Sequence, residues 1–155
     1  MTRLHHVNIV VADMERSLGF YRDLLGMRAT FDIELEGKWI ETVVGLPGAT
    51  ARCVFVQPDG GGGRIELLEY RAPIGKSVPE NSVANTPGIR HLAIEVDNLE
   101  TVYSRLNDAG VPVFSEPVAV PFRLVDGIRK RLAYTLDPDG VIVEFCAHEL
   151  DHGTT

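Results

Sequence analysis

One short pattern occurs twice in the chain and decides its fold: Leu4-His5-His6-Val7-Asn8-Ile9-Val10-Val11 near the start, and Ile89-Arg90-His91-Leu92-Ala93-Ile94-Glu95-Val96 in the second half. Both segments are short and rich in β-branched residues, and both carry a histidine at the third position. Short apolar runs of this composition are typical of β-strands. The sequence therefore predicts two equivalent strands, each opening one half of the chain.

A helix is predicted directly after each of these strands. Asp13 and Asn98 occupy N-cap positions, where a side-chain oxygen accepts a hydrogen bond from a free backbone N–H of the first turn. Gly26 and Gly110 stand where left-handed C-caps end helices. The repeat therefore extends through a strand and a helix in both halves.

The two halves also end alike, with a Pro-Asp-Gly turn that leads into an apolar strand. Pro58-Asp59-Gly60 precedes residues 64–69, and Pro138-Asp139-Gly140 precedes residues 141–145. Two further strands are predicted between the helix and the final strand of each half, at residues 28–36, 51–57, 113–120 and 129–137, with an irregular stretch at 37–50.

The order strand, helix, three strands thus occurs twice, and this repeat predicts an α+β fold built from two βαβββ modules. We place module 1 at about residues 3–71, a polar connector at 72–87 and module 2 at about 88–149, all within a single domain over residues 1–155. A twisted sheet with a helix on its outer face needs its other face covered. Two such modules side by side are expected to form a cupped mixed β-sheet with the helices outside.

Composition and charge exclude several classes of protein. The 155-residue chain weighs 17.0 kDa, is 45% hydrophobic and has a net charge of −7. An acidic chain lacks the basic surplus that binds nucleic acid or anionic membranes, and no apolar run approaches the roughly 20 residues of a membrane helix. The cysteines, Cys53 and Cys146, are far apart in sequence and are expected to be reduced and structural, which is consistent with a cytoplasmic protein. We therefore expect no nucleic-acid and no membrane partner.

Alternation along the strands directs four chemically useful side chains to the inner face of the cup. The more apolar alternate positions of each strand are expected to pack under the helices, so that the other positions face inward. The inward set includes a histidine from the first strand and a glutamate from the last strand of each half: His6 and Glu66, then His91 and Glu144. We therefore expect two imidazoles and two carboxylates to converge.

The two inward glutamates point to a metal ion, because an ionised carboxylate inside an apolar sheet is costly unless it is paired or bound to metal. Glu66 has possible partners in Arg64 and Arg52, whereas the local sequence supplies no cation beside Glu144. A divalent cation would offset the cost for both carboxylates. Mixed nitrogen and oxygen ligands suit zinc, nickel, cobalt, iron or manganese. A lone strand histidine is more often structural, so the hypothesis depends on all four residues occurring together.

Together these pieces resemble the vicinal oxygen chelate superfamily, which includes glyoxalase I, methylmalonyl-CoA epimerase, extradiol dioxygenases, and the fosfomycin and bleomycin resistance proteins. The resemblance covers Leu4 to about His148. It is carried by residues 4–7 with 13–21, by 65–67, by His91 with 96–98, and by 137–145. It implies paired βαβββ modules whose metal ligands lie on the first and last strands of each module, here His6, Glu66, His91 and Glu144. This ligand set resembles that of bacterial glyoxalase I, whereas the epimerase has Gln where this chain has Glu66.

The resemblance implies a metal-dependent lyase or isomerase that acts on a small α-hydroxy or α-oxo carbonyl compound through a metal-stabilised enediolate. One divalent metal ion would be the cofactor, with zinc or nickel first and cobalt, manganese or iron as alternatives. Glu66 and Glu144 are the candidate catalytic bases that move the α-proton. Candidate substrate contacts, from alternation and position, are Asn8, Tyr70, Arg123 and Tyr134.

Two other functions remain open. A binding protein that sequesters an antibiotic or metabolite would hold no tight metal and show no turnover. An iron-dependent extradiol dioxygenase would consume oxygen with catechols and tolerate Glu66→Ala. A homodimer is also expected, because family members are commonly dimers and an exposed outer strand invites pairing between protomers. The sequence leaves open whether one chain completes the cup or a partner supplies half of it.

Overall fold

The computed structural model describes residues 2–77, 83–122 and 128–150. The chain divides into two compact units, Met1–Val78 and Pro79–Thr155, and the boundary falls inside the expected connector at residues 72–87. Each unit holds a four-stranded sheet. Among the described residues, no helix has the length and apolar character needed to cross a membrane.

The first unit follows the predicted order, with an added helix. Its elements are β1 (His6–Val10), α1 (Met14–Leu18), β2 (Arg28–Leu35), α2 (Lys38–Val44), β3 (Thr50–Gln57) and β4 (Arg64–Ala72). A π-helical segment, Gly19–Leu24, continues α1. The strands lie in the order β1-β4-β3-β2, with β1 parallel to β4 and the other neighbours antiparallel.

The second unit repeats this topology. Its elements are β5 (His91–Glu95), α3 (Leu99–Asp108), β6 (Val118–Ala119), β7 (Ile128–Leu136) and β8 (Ile142–Leu150). The strands lie in the order β5-β8-β7-β6, and β5 is parallel to β8. The expected α+β fold with two strand-helix-three-strand repeats is therefore confirmed.

The predicted caps start the first helix of each unit. Asp13 Oδ1 accepts a hydrogen bond of 3.0 Å from the backbone N–H of Arg16, and Asn98 Oδ1 accepts one of 2.8 Å from that of Thr101. These bonds satisfy donors that have no partner within the helix. The caps fix where each helix leaves its strand, and the helices then contact the sheets, α1 on β4 and α3 on β7 and β8.

Side chains alternate, as predicted, along the strand that comes last in the sequence of each unit, β4 or β8. In β4, Ile65 and Leu67 are buried, and Glu66 between them points to the opposite face. In β8, Val143 and Phe145 are almost completely inaccessible. The helix side of each sheet therefore forms an apolar core, and the glutamate of each final strand lies on the other side.

The stretch at residues 37–50 is not irregular throughout, because it contains α2. Gly45, in the left-handed conformation with φ of 71°, ends this seven-residue helix. Ile40 packs in a buried cluster with Leu35, Cys53 and Leu68, which lie on the same side of the sheet as Glu66. The helix therefore covers part of the face that the sequence analysis left open. A helix this short has too few turns to show a clear apolar period.

The strand predicted at residues 113–120 is mostly absent. β6 covers only Val118–Ala119, and Val113 makes an isolated bridge to Thr135. Pro117, which has no N–H to donate to a strand ladder, directly precedes β6.

An arginine on the helix side of each sheet holds the first turn of the neighbouring helix. Arg52 in β3 donates to Glu15 Oε1 at 2.6 Å, and it binds both carboxylate oxygens of Asp32 at 3.0 and 2.8 Å. In the second unit, Arg131 of β7 pairs with Glu100 of α3. Glu15 and Glu100 are both second residues of their helices, so the two contacts repeat one arrangement. We call these two contacts the arginine clamps.

The Arg52 clamp is expected to contribute to stability. Arg52→Met removes charge-assisted hydrogen bonds to two half-exposed carboxylates, so the free energy of unfolding should fall by about 1 kcal/mol. Hydrogen bonding to Arg52 lowers the pKa of Asp32 below its ordinary value. This contribution is therefore complete above the ordinary aspartate pKa of about 3.9 and is lost as the pH falls further.

Urea denaturation at pH 7 and pH 3, in low and high salt, measures the Arg52 effect. Arg28→Met is the matched control, because Arg28 is exposed and makes one ion pair of 3.7 Å with Asp59. The control should change stability very little, and the Arg52→Met deficit should shrink in high salt. Equal losses in both variants would contradict the proposed clamp.

Both cysteines are expected to be unreactive in the folded chain. Cys53 and Cys146 are free and buried. Burial, reinforced by the nearby Glu66 charge, raises the pKa of Cys53 to about 12, and burial also raises the pKa of Cys146. Because only the thiolate is a good nucleophile, iodoacetamide at pH 8 should leave the native protein unmodified and label both thiols after denaturation. Intact mass measurements distinguish the two states, and rapid labelling of native protein would contradict the assignment.

Candidate functional site

In the first unit, parallel pairing of β1 with β4 places His6 beside Glu66. The distance from His6 Nε2 to Glu66 Oε2 is 3.3 Å. Asn8 lies directly opposite Glu66, and its Nδ2 donates to Oε2 at 3.1 Å and to the Glu66 backbone carbonyl at 3.3 Å. His6 and Glu66, two of the four residues expected to converge, are thus in contact, and Asn8 contacts the carboxylate itself.

The other oxygen of Glu66 faces the neighbouring strand. Cys53 Sγ lies 3.5 Å from Oε1. The arginines considered as partners for Glu66 bind elsewhere, since Arg52 holds Glu15 and Asp32, and Arg64 contacts His5 and the ring of Phe55. The described contacts of the Glu66 carboxylate are therefore with an imidazole, an amide and a thiol.

In the second unit, the same parallel pairing places His91 beside Glu144. His91 Nε2 lies 3.5 Å from Glu144 Oε2, and the Glu144 side chain is only 5% exposed, against 19% for Glu66. Tyr134 lies directly opposite Glu144, and its ring centroid is 5.3 Å from that of His91. Burial and a hydrogen bond to Glu144 raise the pKa of Tyr134. Tyr134 therefore contacts both members of this pair.

Glu144 has a cationic partner that its neighbours in the sequence do not reveal. Lys130 of β7 forms an ion pair with Glu144 Oε1, and this hydrogen bond raises the pKa of the lysine. The local sequence supplies no cation beside Glu144, as stated, but the inference that this carboxylate lacks a cationic partner is wrong, because the partner comes from the adjacent strand. Lys130 and Tyr134 are an even number of residues apart, so their side chains lie on the same face of β7. Since Tyr134 was already a candidate site residue, this spacing could have identified Lys130 from the sequence.

The two pairs share one geometry but differ in their additional partners. In both units, glutamate Oε2 faces histidine Nε2, and Oε1 faces a donor from the next strand. The residue opposite Glu66 is Asn8, and the residue opposite Glu144 is Ala93. The side chain of alanine has no hydrogen-bond donor. An ammonium group therefore pairs with the carboxylate of the second unit, where neutral groups hold that of the first.

The remaining predicted site residues are distributed unevenly. Tyr70 is partly buried against the cluster formed by Leu35, Ile40, Cys53 and Leu68, and contacts apolar groups there. Arg123 lies outside the described residues. A further histidine–glutamate contact is present in the second unit, between His148 Nδ1 and Glu95 Oε1 at 2.7 Å, and both side chains are exposed. This contact is not among those expected from the sequence.

The donor atoms of each pair fit a divalent metal, since an imidazole nitrogen and a carboxylate oxygen lie side by side. Within residues 2–77, 83–122 and 128–150, no group of three or more His, Cys, Asp or Glu side chains is assembled that could hold a metal ion. Each unit thus provides one nitrogen donor and one oxygen donor side by side. These two atoms can bind a cation together with further ligands, and the carboxylate can accept a proton.

Curated proteins with similar sequences include a lyase and an epimerase. Lactoylglutathione lyase of Schizosaccharomyces pombe is 28% identical over 146 residues, which cover 92% of this chain and 46% of the relative. Mitochondrial methylmalonyl-CoA epimerase of Mus musculus is 30% identical over 121 residues, covering 76% of this chain and 59% of the relative. The chain thus spans about half to three-fifths of the length of these relatives.

Solved structures share the fold over nearly the whole chain. A glyoxalase family protein from Bacillus cereus superposes with a TM-score of 0.82 at 21% identity, covering 96% of this chain and 95% of the other. The family model of the Glyoxalase/Bleomycin resistance protein/Dioxygenase superfamily matches residues 3–145. With its duplicated strand-helix-three-strand unit and a match of this extent, the chain belongs to that superfamily.

Proposed function

We propose that the chain is a metal-dependent lyase or isomerase, glyoxalase-like or epimerase-like, that acts on a small α-hydroxy or α-oxo carbonyl compound. The observation that carries this proposal is the recurrence of one histidine–glutamate pair at equivalent positions of both units, with Nε2–Oε2 distances of 3.3 and 3.5 Å. A lyase and an epimerase among the relatives support the reaction class.

The proposed metal ligands are His6, Glu66, His91 and Glu144. Each pair offers one nitrogen and one oxygen, a donor set that suits zinc or nickel first, and cobalt, manganese or iron as alternatives. Four protein ligands leave positions open on a six-coordinate ion. A divalent cation bound there would act as a Lewis acid on a carbonyl oxygen of the substrate.

The proposed proton carriers are the same two carboxylates. A base has to lie within hydrogen-bond reach of the proton it removes, and Glu66 and Glu144 each lie on the face of their own sheet that carries the proposed ligands. Asn8 holds Glu66 Oε2 at 3.1 Å and orients it. Tyr134, in contact with His91 and Glu144, remains a candidate substrate contact, as does Asn8. Tyr70 and Arg123 are retained as proposed substrate contacts on position alone.

A metal-free binding protein is the second candidate, and one observation favours it. Lys130 already neutralises Glu144, so the buried carboxylate has a partner without any metal. In that case the chain would bind a small antibiotic or metabolite without turning it over. A homodimer is proposed for either function, because β2 lies at the end of its sheet and most of its residues are exposed.

Metal analysis tests the ligand assignment. Purified protein should carry about one divalent ion per chain, and His6→Ala, Glu66→Ala, His91→Ala and Glu144→Ala should each reduce the metal content to a small fraction, because each removes one of four ligands. The matched control is His148→Ala, which breaks a histidine–glutamate contact of 2.7 Å outside the proposed ligand set. It should leave the metal content unchanged.

Two results would decide against the metal assignment. A wild-type protein that binds no divalent ion when dialysed against zinc or nickel favours the binding-protein alternative. Equal metal loss in His148→Ala and His91→Ala would show that the ligand set has been misidentified. Inductively coupled plasma mass spectrometry measures the metal content, and circular dichroism confirms that each variant is folded.

Solvent-deuterium exchange tests the proposed chemistry. Metal-loaded protein in D2O should introduce deuterium at the α-carbon of its substrate, which a panel of α-hydroxy and α-oxo carbonyl compounds can identify by NMR. Glu66→Gln or Glu144→Gln should slow exchange by about 100-fold or more, since a positioned base contributes on the order of 10²–10⁴ to such a step. Oxygen uptake with catechols, or exchange that persists unchanged in both variants, would contradict the mechanism.

A further inference from the structure

The two oxygens of Glu144 have different partners, and both partners are fixed by strand pairing. Oε2 faces His91 Nε2 at 3.5 Å, and Oε1 is held by the ammonium group of Lys130. The carboxylate is nearly inaccessible to water, with 5% of its side chain exposed, and Lys130 is 22% exposed. A charge-assisted bond at such a position is strong and restricts rotation of the carboxylate.

In the first unit, an uncharged group takes the place that the lysine has in the second. Glu66 Oε1 faces the thiol of Cys53 at 3.5 Å, and Asn8 binds Oε2. Neither donor carries a charge, and Glu66 is more exposed than Glu144. A cation bound by Glu144 therefore meets a positive charge already in place, whereas the described contacts of Glu66 include no such charge.

We infer that Lys130 is a positioning residue that holds Glu144 by Oε1, presents Oε2 as a single-oxygen ligand, and weakens cation binding at this site through its own charge. This inference rests on the proposed function, because it assigns Glu144 as a metal ligand. It assigns to Lys130 a role that the family match, the relatives and the proposed ligand set leave open.

The direction of the effect follows from charge. The ammonium and a divalent cation share one carboxylate, so they repel each other across it. Without the lysine, Glu144 is a buried charge that lacks its counter-ion in the metal-free chain, and this destabilises that state. A metal ion would relieve this cost when it binds. Loss of Lys130 should therefore lower the stability of the metal-free protein and tighten its binding of metal.

Lys130→Met tests the inference, since methionine keeps most of the volume and removes the charge. We expect the variant to bind zinc at least tenfold more tightly than wild type, measured by competition with a chromophoric chelator, and to melt at a lower temperature without metal. With cobalt as the probe, its visible spectrum should differ from that of wild type, because both oxygens of Glu144 become available. Lys38→Met is the control, because Lys38 forms an exposed ion pair with Glu41 at 3.1 Å, and it should bind zinc as wild type does.

A second variant shows whether the effect passes through Glu144. In a Glu144→Gln background, Lys130→Met should no longer tighten zinc binding, because the shared carboxylate is gone. Unchanged or weaker zinc binding by Lys130→Met, with metal still bound by wild type, would overturn the role of Lys130 and leave the proposed function standing. If neither wild type nor Lys130→Met binds zinc, nickel or cobalt, both the proposed function and this inference fail.

Discussion

A carboxylate that is ionised and removed from water requires a partner, and this requirement governs the polar side of both sheets. Each unit meets it first by placing a histidine on the strand that runs parallel to the glutamate strand. The partners beyond the histidine differ, with an amide and a thiol beside Glu66 and an ammonium beside Glu144. Glu144 is the more deeply buried of the two carboxylates, and it is also the one that pairs with a full opposite charge.

The pairing of strands and the anchoring of helices place these histidine–glutamate pairs. Parallel pairing of the first and last strands of a unit sets the histidine strand directly beside the glutamate strand. Caps at Asp13 and Asn98 start the helices at fixed points, and the arginine clamps hold their first turns to the sheet. The side of each sheet that contacts α1 or α3 thus carries a buried apolar layer and the clamps, and the opposite side carries the histidine–glutamate pair and, in the first unit, α2 with its own apolar cluster.

The sequence was sufficient to predict the repeat, the fold class and the face of each strand on which His6, Glu66, His91 and Glu144 lie, and two contacts among these four residues are present. Those features follow from local composition and from the two-residue period of a strand, which act over a few neighbouring positions. Contacts between strands are different, because they depend on register. Lys130 reaches Glu144 only because β7 pairs with β8 in a particular alignment, and nothing beside Glu144 in the sequence indicates it. Arg52 was likewise expected as a possible partner of Glu66, but it lies on the other face of the sheet and holds Glu15. The short helix α2 was missed since seven residues are too few to establish a period.

The separation of the arginine clamps from the histidine–glutamate pairs has a consequence for how such a chain can change over time. The clamps lie on the other side of each sheet from the histidine–glutamate pairs, so a substitution of an imidazole or a carboxylate leaves the contacts that anchor the helices in place. If both halves supply ligands, as proposed, a change in either half alters the site while these anchoring contacts remain. The residues of the site can therefore change in evolution without changes to the contacts that hold the helices on the sheets.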